Sequence, residues 1–272
     1  MRPDIVVHGS PCQDFSNEGR NNINSGRSIL YERTLQILDP NPMWGRPELV
    51  SPPKVVIWEN VPGLVYRHKE HLEHYIHVME CYGYKSFYKI LKASDYRCPQ
   101  DRDRVYTVSL YDTKKDFEFP APIGTPWKLE QFIDKNVDFD KYPLSEAEKK
   151  ILFLLDDGRW AVKEGTKKGY KEIEEWNVVN LAFPNSTTRR GRVGEYAKTI
   201  TTAPRQAIFY DGRFRMLTAK EHMRLMGFQD KDYEKMIRAG ITESQISSLA
   251  GNSICVSVLE AIFRELHKME II

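Results

Sequence analysis

Residues 3–16 read PDIVVHGSPCQDFS, and this stretch decides the fold. Asp4-Ile5-Val6-Val7 is a short apolar run rich in β-branched side chains and bounded by turn-formers, which predicts a buried strand. His8-Gly9-Ser10-Pro11 breaks that strand sharply. Cys12 then falls on the loop at the strand's carboxyl end, where open α/β sheets place their chemistry. Gln13 and the polar run Asp14-Phe15-Ser16 follow. A cysteine held on such a turn is a candidate nucleophile. Taken alone, it reads more readily as a small buried thiol.

Working outward, the pattern repeats. Residues 54–58, KVVIW, form a second apolar strand that delivers Glu59-Asn60-Val61-Pro62-Gly63 at the equivalent position. Between the two strands lies a polar loop over 17–28, which has no apolar period. A helix capped by Ser28 and carrying Leu30, Leu35 and Leu38 follows and ends before Pro40. Residues 41–53 are a proline-rich insertion. Apolar positions at Leu72, Tyr75, Ile76 and Met79 predict an amphipathic helix over 67–81, stopped by Gly83. Its histidines (His68, His71, His74, His77) have no carboxylate or cysteine shell, so they read as a solvated face and no metal site is expected. Residues 84–91 alternate as a strand, and Gln100-Asp101-Arg102-Asp103-Arg104 runs into another at 105–110. Strand, helix and strand in turn predict an α/β sheet.

Composition narrows the partners. Lys and Arg number 40 against 38 Asp and Glu, a formal charge of +2 over 272 residues, so any nucleic-acid surface must be local. Four scattered cysteines without a CxxC pair argue against a disulfide framework or zinc site and fit a reducing cytoplasm. No apolar run approaches the ~18 residues of a membrane span, and none is expected. Beyond residue 114 the texture changes. Residues 117–126 mix proline and aromatics, as at a domain crossing. Ser145–Glu148, Thr218–Glu221 and Thr242–Gln245 are capping boxes that open helices, and Glu221 with Arg224 is an i,i+3 pair on one helix face. Residues 158–170 suggest a hairpin, 177–183 a strand, and 254–266 a closing amphipathic helix. Thr187-Thr188-Arg189-Arg190-Gly191-Arg192 is the densest basic cluster: either a solvated loop or a set of phosphate and guanine contacts.

In order, the chain presents SPCQDFS, ENVPG after a VVIW strand, QDRDR before a strand, RMLTAKEHMRLMGF, and GNS before a final helix. This succession resembles the C5-cytosine DNA methyltransferases over nearly the whole chain, apart from the stretch of about 80 residues where that family is variable. The resemblance implies a Rossmann-like S-adenosylmethionine-binding sheet and a smaller, mixed target-recognition domain. The expected division is 1–112 with 250–272 for catalysis and 113–249 for recognition. It also exposes a departure. The family's glycine-rich FxGxG loop and the acidic residues of its cofactor site have no counterpart, and the strand at Asp4–Val7 resembles the fourth of the family's sheet. About three strand–helix units, on the order of 80–90 residues, are absent. The expectation is one part of a split or truncated enzyme, inactive without a second polypeptide that carries the missing strands.

The resemblance also implies roles. Cys12 would add to carbon 6 of a flipped-out cytosine in duplex DNA, and Glu59 would protonate N3. Arg104, braced by Arg102 and Gln100, would hold the base's carbonyl oxygen or a nearby phosphate. Pro11, Leu30 and Asn252 are the expected remnant of the S-adenosylmethionine site. Gln13, Ser16, Gln100, Arg189, Arg190, Arg192 and Thr199 are the expected DNA contacts. The 14–27 loop would close over the base. Two other readings compete: a DNA-binding relic without catalysis, and a cysteine hydrolase. The second needs a histidine base, and His8 lies too near in sequence.

Overall fold

A computed structural model describes residues 3–10, 30–39, 52–124 and 127–272. The chain divides into two compact units: Met1–Lys92 with Asp103–Pro122 and Val258–Ile272, and Ala93–Arg102 with Ile123–Ser257. The expected boundaries at 112 and 249 thus fall about ten residues early. Residues 93–102, expected with the catalytic domain, pack with the second unit, and that unit is not the smaller of the two.

The first unit is built on strands β1 (Ile5–Gly9), β2 (Val55–Asn60), β3 (Tyr84–Lys92) and β5 (Asp103–Tyr111), with the two-residue β4 (Gln100–Asp101) belonging to the second unit. The sheet order is β1-β2-β5-β3. β1 and β2 are parallel, with Gly9 level with Glu59, whereas β5 runs antiparallel to both β2 and β3. Every residue of β2 is buried, as its unbroken apolar run requires of a central strand. Among the described residues β1 pairs with β2 alone, and Val7 on it is 37% exposed. Helix α1 (Tyr31–Leu38) joins β1 to β2. A short helix α2 (Gly63–Tyr66) and the longer α3 (Lys69–Cys81) join β2 to β3. The helix expected over 67–81 is α3, which starts at Lys69, and the short α2 before it was not expected. Tyr31, Leu35 and Leu38 of α1 and Leu72, Tyr75 and Met79 of α3 pack with Val56 and Trp58 into one core. Of the four histidines on this segment, His68 is buried and His71 bonds the Tyr31 hydroxyl at 3.0 Å, so only part of that face is solvated.

The second unit mixes short strands with helices. Helix α4 (Glu146–Lys149) leads into a three-stranded sheet of β6 (Leu152–Leu154), β7 (Trp160–Lys163) and β8 (Tyr170–Glu172). A second sheet takes the order β10-β9-β12-β13, from β9 (Val178–Asn180), β10 (Val193–Gly194), β12 (Gln206–Tyr210) and β13 (Arg213–Met216). β11 (Ala197–Lys198) lies parallel to β4. The core is Leu144, Ile151, Val162, Val179, Leu181, Ala207 and Phe209 with their neighbours. Helices α5 (Ala219–Leu225), α6 (Asp230–Arg238) and α7 (Glu243–Asn252) follow, and α8 (Val256–Lys268) ends the chain.

All three capping boxes close, each hydroxyl accepting from the backbone N–H three residues on. Glu221 does more than cap. It was expected to pair with Arg224 along the helix, but its carboxylate instead receives both terminal nitrogens of Arg215 on β13, at 2.9 and 2.6 Å, with both side chains fully buried. Arg224 turns to Asp230 at 2.7 Å. Burial decides the exchange, because a buried carboxylate needs a partner that water cannot replace.

Residues Glu243–Lys268 form one stretch long and apolar enough to cross a membrane by length and composition, contrary to the sequence expectation. That stretch is divided at 253–255 into α7 and α8, and Ile246, Ala250, Val258, Ile262 and Leu266 along it are buried in the protein.

Candidate active site

Cys12, with Pro11, Gln13, Ser16 and the 14–27 loop, lies outside the described residues. The ground it springs from is well defined. Parallel pairing places His8 level with Trp58 and Gly9 level with Glu59, so the loop after β1 and the ENVPG loop after β2 leave the same end of the sheet. Ser10 ties the two together. Its hydroxyl accepts from the Trp58 indole N–H at 3.1 Å and from the Asn60 amide at 2.9 Å. The Asn60 carbonyl oxygen then accepts the Val61 N–H at 2.8 Å, which fixes the turn that carries Glu59. Sequence reasoning passed over Ser10. Its position between strand end and Cys12, opposite an asparagine in register, was the available signal.

Glu59 and Arg104 are brought together. Arg104 Nε lies 3.1 Å from Glu59 Oε1, and the two side chains are only 13% and 11% exposed. The antiparallel register explains the meeting. Asn60 pairs with Val105 and Leu91 with Arg104, so acid and guanidinium come from adjacent strand ends. Arg104 also donates to the Asp103 carbonyl at 2.7 Å.

His8 turns away from this end. Its ring stacks on Trp58 and contacts the Tyr75 and Thr34 hydroxyls at 3.3 and 3.4 Å. Burial pushes its pKa down to about 4, so the ring is neutral near pH 7. Tyr75, Thr34 and Trp58 use both of its nitrogens and one of its faces, an arrangement that suits packing rather than proton abstraction for a hydrolase. Leu30, the residue before α1, is 41% exposed.

In the second unit Gln100 and Arg102 work from inside. Gln100 is fully buried. Its amide donates to the Leu225 carbonyl at 3.0 Å, and its side-chain oxygen accepts the Ile200 N–H at 2.9 Å. Arg102, 4% exposed, donates to the carbonyls of Ile200, Gly251 and Ser253. Thr199 donates its hydroxyl to the Asp101 carbonyl at 2.7 Å. These residues knit the β4–β11 ribbon to the end of α7, where Asn252 stays exposed. A side chain on Gly251 would meet the Thr201 backbone at 2.3 Å, so the GNS turn depends on glycine. Gln100, expected to brace Arg104 and to contact DNA, and Arg102, expected to brace Arg104, instead bond main-chain groups of the second unit.

The basic loop divides in the same way. Arg189 lies over the Phe183 ring at 5.1 Å, and Arg190 donates to the Gly165 carbonyl at 2.6 Å. Arg192 is 1% exposed and donates to the carbonyls of Asn180, Ala182 and Phe183 at 2.9–3.1 Å. Among the described residues no cluster of three His, Cys, Asp or Glu could hold a metal ion.

The first unit sets Glu59, near the end of β2, beside Arg104, at the start of β5, and the second unit carries the arginine loop. Comparison with known proteins gives the family. The chain belongs to the C-5 cytosine-specific DNA methylases, whose family model matches residues 1–268. It is 27% identical to the type II methyltransferase M2.ScrFI of Lactococcus lactis subsp. cremoris over 98% of this chain and 67% of that protein. It is 28% identical to M.NlaX of Neisseria lactamica, over 97% of this chain and 75% of the relative. The fold is shared with a solved structure of a prophage-encoded putative DNA modification methyltransferase of E. coli, with a TM-score of 0.61 at 18% identity, covering 99% and 80% of the two chains.

Proposed function

We propose that this chain carries the catalytic and recognition residues for methyl transfer from S-adenosylmethionine, the methyl donor of its family, to carbon 5 of a flipped-out cytosine in duplex DNA. The Glu59–Arg104 pair carries the reading, because it sets a proton donor and a cation beside the loop that holds Cys12.

The chemistry needs each of these groups. Carbon 5 of cytosine is too poor a nucleophile to attack a methyl sulfonium unaided. The Cys12 thiolate adds to carbon 6, N3 takes a proton from Glu59, and carbon 5 gains the electron pair of an enamine. Glu59 takes its proton from solvent as the base draws Arg104 toward the carbonyl oxygen, and then passes it to N3. When bound, S-adenosylmethionine supplies the methyl group as an electrophile. A base then removes the carbon 5 proton and the Cys12 thiolate leaves. Leu30 and Asn252 are exposed and uncommitted by packing, which fits donor-binding roles, with Pro11 as the third. The edge of β1 that is unpaired among the described residues is where further strands of the donor side would pair, in this polypeptide or a second one. The type II relatives suggest the modification arm of a bacterial restriction–modification pair, acting on DNA in the cytoplasm.

Duplex DNA containing 5-fluorocytosine tests the reading, because fluorine at carbon 5 blocks the final elimination. With S-adenosylmethionine present, a covalent adduct that survives denaturation is expected from the unaltered chain and absent from Cys12→Ser. DNA binding without an adduct, with any missing strands supplied, would favour the non-catalytic relic.

A further inference from the structure

One side chain of the second unit is held where packing alone would not put it. Phe183 is 62% exposed, and its backbone adopts φ +53°, a left-handed conformation that aromatic residues rarely take. Three features lock it there. The buried Arg192 guanidinium donates to the carbonyls of Asn180, Ala182 and Phe183. The Ser186 N–H donates to the Phe183 carbonyl at 3.0 Å, closing a tight turn. The neighbouring 187–192 loop is pinned from below by Gly165, whose N–H donates to the Arg189 carbonyl at 2.8 Å. A side chain on Gly165 would lie 2.6 Å from the Thr188 backbone, so this close approach requires glycine. Arg189 lies over one face of the exposed ring, amid the polar, exposed Asn185, Ser186, Thr187 and Thr188.

We propose that Phe183 is a DNA-contacting wedge: its ring stacks on a base exposed at a step of the duplex, while Arg189 neutralises an adjacent phosphate. The proposal rests on the methyltransferase reading and deepens it. An exposed ring in a strained backbone, braced by a buried arginine, suits a surface that must be preorganised, since an unbraced loop would adopt the commoner conformation. The ring with its arginine offers a base an apolar face and a cation together, the combination that stacks nucleobases. Apolar wedges of this kind partly unstack a duplex and kink it, which lowers the cost of extruding the target base. Arg192 then acts as a positioning residue, working through Phe183.

Anisotropy titrations of the full chain against short labelled duplexes of randomised sequence, at several salt concentrations, test this. Phe183→Ala is expected to weaken binding about tenfold or more with an unchanged salt slope. Arg189→Gln is expected to reduce that slope by about one. Phe183→Trp should keep the affinity. Phe183→Asn, which tolerates the left-handed backbone, should lose affinity like the alanine variant while melting no lower than the parent chain, a split that a merely structural phenylalanine would not show. Parent-like affinity in Phe183→Ala or Phe183→Asn overturns the wedge and leaves the methyltransferase reading standing. An unaltered chain that holds no duplex at any salt concentration overturns both.

Discussion

Arg102 and Arg104 sit two residues apart in one motif, yet they belong to different units and do different work. Arg104 ends a strand of the first unit with its guanidinium beside a carboxylate, both slightly exposed. Arg102 is buried in the second unit and spends its donors on the carbonyls of Ile200, Gly251 and Ser253. The same division separates Arg189, over the exposed Phe183 ring, from the buried Arg192. An arginine that reaches toward a ligand keeps a partner it can exchange. One that clamps the fold is bound to carbonyls or to a buried carboxylate that nothing will displace. Spacing in the motif cannot distinguish the two, whereas burial and the identity of the acceptor can.

The sharpest way to break this contrast is to damage each kind and read activity and stability separately. Glu59→Gln keeps the shape but cannot deliver a proton, and methyl transfer to duplex DNA should fall by about 10²–10⁴-fold. Arg104→Lys should also impair transfer, because a point charge cannot serve both the carboxylate and the base. Neither change should move the urea midpoint far. Arg102→Lys should do the reverse, lowering stability by about 1–3 kcal/mol through carbonyls left without donors. A stable Arg102→Lys chain would place Arg102 with the reaching arginines.

Next in size is the Arg215–Glu221 pair. Removing one partner leaves a charge with no water around it, so Glu221→Leu should cost about 3–5 kcal/mol in urea unfolding. Arg215→Met together with Glu221→Leu should recover much of that loss. Equal losses in the single and double variants would show that the capping bonds of Glu221 to Thr218, not the ion pair, hold this helix start.

Which of these features the sequence discloses follows from their range. The β1 and β2 strands are legible because β-branched runs such as IVV and VVIW declare buried strands locally. The capping boxes are legible because donor and acceptor lie three residues apart. Glu59 and Arg104 were legible only through the order of motifs, and their meeting depends on the antiparallel return of β5, which no local pattern specifies. The Arg215–Glu221 pairing was misread because the helix offered a nearer arginine. The site's cysteine was the firmest sequence assignment and lies outside the described residues, so the loops around it carry the structural argument.

Acid compares the two units by a different route. Each holds one histidine whose pKa is lowered from 6.5 to about 4 by burial, the half-buried His8 beside Trp58 and the buried His222 beneath α7. In the unfolded chain these rings take a proton near pH 6.5, whereas in the folded chain they resist until about pH 4. The unfolded state therefore holds more protons in that window, and stability is complete above pH 6.5 and drains away as the pH falls. His222, which bonds Ser247 at 3.0 Å and is 4% exposed, should contribute about 3 kcal/mol of loss by pH 4. His8, packed at the sheet's margin, should contribute less. His222→Gln should flatten the acid limb of unfolding free energy against pH, and His8→Gln should flatten it less. An unchanged limb in His222→Gln would assign the acid sensitivity elsewhere.

The smallest expected effect bears on the opening contrast most directly, because it asks whether the catalytic end is as firmly braced as the clamped unit. Ser10 and Asn60 join the two site loops through a single hydroxyl. Ser10→Ala leaves the Trp58 and Asn60 donors without that acceptor, at about 1 kcal/mol. Asn60→Ala should cost a similar amount, since it also frees the Val61 N–H. Because both act through the same contact, the double variant should cost less than their sum. Transfer should fall further than stability in each, since a slack ENVPG turn lets Glu59 drift from the position Arg104 now fixes. If stability and transfer decline in step, Ser10 and Asn60 belong with the clamps, and Glu59 is held by β2 and β5 alone.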